Sequence, residues 1–269
     1  MIPDMQQRFD GFLDTAPLWT GKFHELEQFD FPDYSNAAAD SHSFSSNLRL
    51  GQLAEQFVFA VLTASPAVKI IAQNLQIIRE KITIGELDAL VHQHNLPLHL
   101  EIVYKFYLYD PTVGNTELDH WIGPNRKDSL IQKLTKLKEK QLPLLHTQDT
   151  KKALDELGLD PSRMKQEVLF KAQLFVPFNY HDVEYTHLNK DAVTGFYCTE
   201  KQLRPFHDCT FFIPTKLDWL AQPSTEIDWL TFDAFHDLLM PQLLQKRAPL
   251  CWMKKPTGEI EKLFVVWWI

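Results

Sequence analysis

Hydrophobic residues first recur at helical spacing between residues 46 and 65. Leu50, Leu53, Ala54, Phe57, Val58, Val61 and Leu62 form an i, i+3, i+4 stripe. Ser46 fits an N-cap and Pro66 closes the helix. Three strand-like runs follow: Val68 to Ile78, Gly85 to His92 and Leu98 to Leu108. The last two are joined around Gln93-His94-Asn95 by a link short enough for a hairpin. After a loop with Gly114, Asn115, Gly123 and Pro124, a second helix is expected from about Asn125 to Gln141, with Asn125 and Asp128 as a capping pair. Its buried stripe is Leu130, Leu134 and Leu137, a line that Gln141 continues. Val168 to Phe178 reads as a further buried strand.

Upstream, residues 1–45 scatter Trp19, Phe23, Phe29, Phe31 and Phe44 among Pro, Asp, Ser and Gly. This pattern suits an irregular segment with a short helix or two, packed on the rest. Beyond residue 180 the chain is rich in loops. A helix is expected from Phe232 to Gln245, and a hairpin turning at Pro256-Thr257-Gly258 with Leu263 to Ile269 as its closing strand. The order α, β-β-β, α, β and a mixed remainder predicts an α/β (or α+β) fold around one central sheet. Three parts follow: 1–45, 46–178 and 179–269.

Composition narrows the classes. Apolar residues make up 45% and charged residues 23% of 269 positions, which excludes collagen, a coiled-coil rod and a mainly disordered chain. With 27 basic against 35 acidic residues the formal charge is −8. That argues against a broad, sequence-blind grip on nucleic acid but leaves room for a local basic groove. Cys198, Cys209 and Cys251 are odd in number and show no CxxC spacing, so a reducing cytoplasm is the expected location. Met1 to Met5 lacks the basic start of a signal peptide, and no apolar run approaches the roughly 20 residues of a membrane span.

The chemistry concentrates in residues 85–105. On a strand, side chains alternate, so Glu86 shares a face with Asp88, and Glu101 shares one with Val103 and Lys105. Strands lie about 4.8 Å apart, so carboxylates on paired strands reach one ion. Carboxylates inside apolar strands need a partner, and a divalent cation is one that makes Asp88 and Glu101 tolerable together. A structural ion pair with Lys105 is the other reading.

Glu55 on a helix, Gly85-Glu86-Leu87-Asp88 on a strand and Glu101 to Lys105 on the next resemble the PD-(D/E)XK, restriction-endonuclease-like phosphodiesterases. The Gly-Glu-Leu-Asp-x-Leu form is similar to their Holliday-junction-resolvase-like branch. The sequence also resembles a bacterial family of unknown function placed in that superfamily, through Leu50-Gly51, Glu101 to Leu108 and Trp121 to Leu130. The resemblance covers roughly residues 46–178. It implies an αβββαβ core, Mg²⁺ or Mn²⁺ as cofactor, Asp88 and Glu101 as metal ligands, Glu55 as a further acidic group and Lys105 as the motif lysine.

Two departures stand out. Leu87 replaces the proline of the name. The usual glutamate-x-lysine is stretched to Glu101-x-x-x-Lys105, which puts the two Cα atoms about 13 Å apart rather than about 7 Å. Either Lys105 reaches back, or a lysine from another element such as Lys133 substitutes, or catalysis has been lost.

Residues 122–140 hold Arg126, Lys127, Lys133, Lys136, Lys138 and Lys140 against Asp128 and Glu139. This local excess suits a phosphate-contacting face, with Trp121 stacking on a base and Gln141 beside it. A solvated helix face is the plainer account. His92, His94 and His99 have strand spacing for zinc but no fourth ligand, which leaves them as hairpin surface. Tyr104, Phe106, Tyr107 and Tyr109 read as core. Two functions are carried forward. One is a metal-dependent nuclease acting on nucleic acid, DNA first, through that basic face. The other is a non-catalytic scaffold of the same fold that binds nucleic acid or a protein, the latter through residues 179–269.

Overall fold

The computed structural model describes residues 3–32, 48–180, 183 and 185–268. Chain order begins with α1 (Met5–Asp14), a small hairpin of β1 (Lys22–Phe23) and β2 (Leu26–Glu27), and α2 (Leu50–Ala64). A meander follows, of β3 (Val68–Arg79), β4 (Ile82–Gln93) and β5 (Leu96–Tyr109), then the short β6 (Trp121–Ile122). Next come α3 (Leu130–Lys136), a π turn (Leu137–Gln141), α4 (Leu142–Leu144) and α5 (Gln148–Glu156). The remainder is β7 (Lys165–Pro177), β8 (Val193–Thr199), β9 (Thr210–Phe212), α6 (Phe232–Leu244), β10 (Leu250–Lys254) and β11 (Ile260–Val266).

Among the described residues these strands build one nine-stranded mixed sheet in the order β3-β4-β5-β7-β8-β11-β10-β9, with β6 on the end of β5. The β3-β4-β5 meander is antiparallel, and β7, β8 and β11 continue from β5 in parallel. The mixed α/β class and the four expected core strands are thus present. Both meander turns place two consecutive residues at positive φ, Glu80 and Lys81 at 47° and 70°, His94 and Asn95 at 49° and 65°. That is the backbone a two-residue type I′ loop requires. The last third of the chain adds β8 to β11 to the same sheet rather than forming a separate layer.

Alternation sorts β5 between two cores. Leu100, Ile102, Tyr104, Phe106 and Leu108 face α1 and α2 with Phe12 and Phe57. Val103, Tyr107 and Tyr109 face the other side with Trp121, Leu130, Leu134 and Leu137. Glu101 and Lys105 share that second face. The aromatic run of β5 is core, as its pattern predicts.

The outer edge of β7 is closed by two separate stretches. Leu18 N–H donates to Phe170 O at 2.8 Å, and Phe29 N–H to Val168 O at 3.0 Å, along its first half. The second half pairs with β8, from Leu174 with Val193 to Pro177 with Tyr197.

Several boundaries differ from expectation. Ser46 and Phe44 lie outside the described residues; α2 starts at Leu50, where Gln52 Oε1 accepts the Arg49 N–H at 3.0 Å. The second helix starts at Leu130, capped by Ser129, not at Asn125. Residues 123–128 close a turn in which Asp128 O accepts the Gly123 N–H and Arg126 takes a φ of 55°. Asn125 instead accepts the Ala248 N–H at 2.8 Å. The closing strand is Ile260–Val266.

Gly11 marks a close approach of α1 to the chain at 220–222: a Cβ there would lie 2.2 Å from Leu220 O and 2.8 Å from Ala221 Cα. Gly11→Ala is therefore expected to destabilise by about 1–3 kcal/mol. A lower urea midpoint at unchanged m-value would show it.

Candidate active site

The β4–β5 ladder pairs regularly from Gln93–Leu96 to Ala89–Leu100 and then stops. The next pair along the register would be Asp88 with Glu101. There the Asp88 side chain takes over from the backbone: its Oδ2 accepts the Ile102 N–H at 2.8 Å. Beyond this point β4 stays paired with β3, and β5 has no ladder partner on that side until β6 joins at Leu108 and Tyr109. The acidic pair sits where the two strands part.

The two carboxyls lie close enough to act on each other's titration. Burial, with mutual repulsion adding to it for Asp88, pushes both up to about 7. Glu55, from α2, is also pushed up to about 7, first by burial and then by the charges of Asp88, Glu86 and Glu101. Three carboxyls from three elements thus feel one another strongly.

Glu101 is fully buried, and both of its oxygens are engaged. Oε1 contacts His99 Nε2 at 3.1 Å; Oε2 accepts from Gln141 Nε2. The proton positions follow from the partners. Gln166 Nε2 donates to Leu142 O at 2.7 Å, which fixes its amide, and its second hydrogen points at His99 Nδ1 at 2.9 Å. His99 Nδ1 is therefore an acceptor, and Nε2–H donates to Glu101. Burial holds His99 down to about 4, so the ring is neutral. On the other side, Gln141 Oε1 accepts from Lys133 Nζ at 2.7 Å, and its NH₂ necessarily faces Glu101. The chain Gln166–His99–Glu101–Gln141–Lys133 is continuous and every amide orientation in it is determined.

The π turn makes this chain possible. At 100° per residue, positions 133 and 141 of an uninterrupted α-helix would lie about 80° apart. One extra residue in a π turn reduces the effective separation to seven, about 20° apart, and brings Lys133 and Gln141 onto one side. Burial lowers Lys133 to about 8, with the carboxyls pulling the other way. It acts on Glu55, Asp88 and Glu101 alike.

Lys105 lies elsewhere. Its Nζ is held by Asp128 Oδ2 at 2.7 Å, about a third exposed. Of the remaining basic residues expected to touch phosphate, Lys136 is exposed and acts on Glu101 at longer range, and Lys127 is exposed. Arg126 is paired with Asp110 at 2.6 Å and lies 4.7 Å over the Trp268 ring.

Two expectations are corrected. Trp121 has no exposed surface and sits against Tyr109 and Tyr185, so it cannot stack on a base. His99 is not hairpin surface but fully buried beside Glu101. The available signal was its i, i+2 spacing to Glu101 on one strand. Gln166 carried no such signal, because its partners come from distant parts of the chain.

Among the described residues no three His, Cys, Asp or Glu side chains gather as a metal cluster. The acidic pair alone fits a hard divalent cation in donor type: two neighbouring carboxyls and no thiolate. Mg²⁺ is commonly held this way, by one or two carboxylates with water and phosphate completing the sphere. No described helix is long and apolar enough to cross a membrane.

No curated protein and no solved structure matches the chain. The family described as Domain of unknown function (DUF1853) matches residues 14–266, nearly the full length, and the chain belongs to that family.

Proposed function

We propose that this protein is a divalent-metal-dependent nuclease of the PD-(D/E)XK type, hydrolysing phosphodiester bonds in nucleic acid, with DNA as its first candidate substrate. The observation that supports this reading most is the meeting of Asp88 and Glu101 carboxyls where β4 leaves β5, with the Lys133 charge acting on both. The order α2, β3-β4-β5, α3, β7 is that expected of such a core.

Asp88 and Glu101 would hold the cation. A bound Mg²⁺ or Mn²⁺ would lower the pKa of a water and neutralise charge on the phosphate. Glu55, raised to about 7 beside the pair, would orient water and, in its ionised form, accept its proton. Lys133 takes the role given to the motif lysine and would stabilise charge developing on the phosphate. His99 and Gln141 hold Glu101 in one orientation, as partners of metal-binding carboxylates do. Glu101 has no exposed surface, so an ion reaches it only when side chains covering it shift.

The test is cleavage of a panel of DNA and RNA structures with Mn²⁺ or Mg²⁺, together with calorimetry of Mn²⁺ binding. Metal-dependent cleavage that disappears in Asp88→Ala and Glu101→Ala is the expected result. Absence of both cleavage and metal binding, with affinity for nucleic acid or protein retained, would favour the non-catalytic scaffold. Gln141→Ala is expected to reduce cleavage by about 10–100-fold, while the larger loss belongs to the ligands themselves.

A further inference from the structure

A second basic site lies outside the carboxylate cluster. The loop at 213–216, the end of α6 with residues 245–249, and the turn at 125–127 enclose a cavity of about 730 Å³. Its charged lining is Lys127, Lys216, Lys246 and Arg247, and no Asp or Glu contributes. In a chain of net charge −8, four cations converging on one hollow is the reverse of the average surface. None of the four is in an ion pair among the described residues. Two of them rest on indole rings instead, Lys216 Nζ 3.2 Å over Trp219 and Lys246 Nζ 5.5 Å from Trp267. The neighbouring acids are already occupied. Asp218 is fully buried against Arg8 and Thr215. Asp128 is bound to Lys105.

We infer that this cavity binds a phosphate group of a nucleic-acid strand through Lys127, Lys216, Lys246 and Arg247. Unpaired lysine and arginine donors lining a hollow, with nothing anionic among them, recognise an anion bearing several acceptor oxygens. The ligand's carrier, a strand rather than a free molecule, rests on the nuclease reading and on placement. Lys105 acts electrostatically on both Lys133 and Lys216. It lies about 13 Å along β5 from Glu101. The Lys105–Asp128 ion pair thus stands on β5 between the acidic pair and the cavity, within electrostatic range of both Lys133 and Lys216. A strand cut at Asp88 and Glu101 would place a neighbouring or terminal phosphate in the cavity.

The experiment measures fluorescence anisotropy of a single-stranded DNA of about 12 nucleotides, labelled at its 3′ end, with and without a 5′-phosphate. EDTA is present so that cleavage plays no part. The wild type is compared with the triple variant Lys127→Gln, Lys246→Gln, Arg247→Gln, all three exposed residues whose replacement leaves the core untouched. The triple variant is expected to bind at least ~10-fold more weakly, and its log K against log salt slope to fall by about 0.7, the amount for one phosphate no longer neutralised. Tighter wild-type binding of the 5′-phosphorylated strand would assign the terminal phosphate; equal binding would assign an internal one. Equal affinity of triple variant and wild type overturns the inference. So does competition by pyrophosphate at a cavity that ignores the strand, since the ligand is then a free polyphosphate. Failure of catalysis appears in the cleavage assay, and failure of the cavity in this one.

Discussion

Asp88→Asn is expected to make the metal-free protein more stable at pH 8 while lowering Mn²⁺-dependent cleavage by about 10³-fold. The two effects have one cause. The substituted amide keeps an oxygen for the Ile102 N–H and carries no charge to oppose Glu101, so the backbone hydrogen bond survives and the repulsion goes. What disappears is one of two ligand oxygens. A divalent cation contributes several kcal/mol to transition-state stabilisation, and about 4 kcal/mol corresponds to ~10³ in rate. The structural ion-pair reading predicts the opposite sign, since removing a carboxylate that stabilises a lysine would lower the melting temperature. A thermal melt in EDTA at pH 8 and a cleavage time course decide between them. A variant that is both less stable and fully active would remove the case for a metal site.

The second large effect is a pH dependence, read as the difference in unfolding free energy between wild type and Asp88→Asn. Asp88 and Glu101 have folded values raised to about 7. A raised carboxyl contributes stability while protonated, fully below its unfolded value, and loses it as pH climbs through the folded value. Wild type is therefore expected to lose ground to the variant between about pH 4 and pH 7, by on the order of 3 kcal/mol. His99 and Lys133 are present in both proteins and largely cancel in the difference. Added Mn²⁺ competes with the same protons, so its stabilising effect is expected to be small at pH 5.5 and to grow towards pH 8. A Mn²⁺ shift in melting temperature independent of pH would contradict protonated carboxyls as its site.

The fold was legible where one period rules a long stretch. The α2 stripe and the β3, β4, β5 and β7 runs emerged from spacing alone, because each must bury a face or both. The acidic pair was equally legible, since charges inside such runs are conspicuous. The lysine was legible only as an alternative, with Lys133 named as a substitute for Lys105. Strand spacing placed Lys105 on the correct face of β5, yet Asp128, 23 residues away, holds it. Lys133 reaches the carboxyls through a π turn, a one-residue insertion with no mark of its own in the composition of Leu137 to Gln141. Trp121 was misplaced for a related reason: a two-residue strand on the end of β5 buries it, and so short a pairing has no period to detect. The cavity between α6 and the loop at 213–216 gathers residues more than 100 positions apart, from 127 to 247, which no local pattern reports.

The double closure of β7 has a further consequence for how the chain can be divided. Residues 46–178 contain every proposed catalytic group, and that segment invites isolation as a minimal enzyme. Excising it would strip away both Leu18 to Phe29 and β8. A 13-residue, largely apolar central strand would then present its amide row to solvent along its whole length. Such an edge seeds polymerisation by recruiting other copies of itself. The two flanking segments thus behave as a paired sheath over one strand, and a shortened version would be recovered as aggregate rather than as a smaller folded protein.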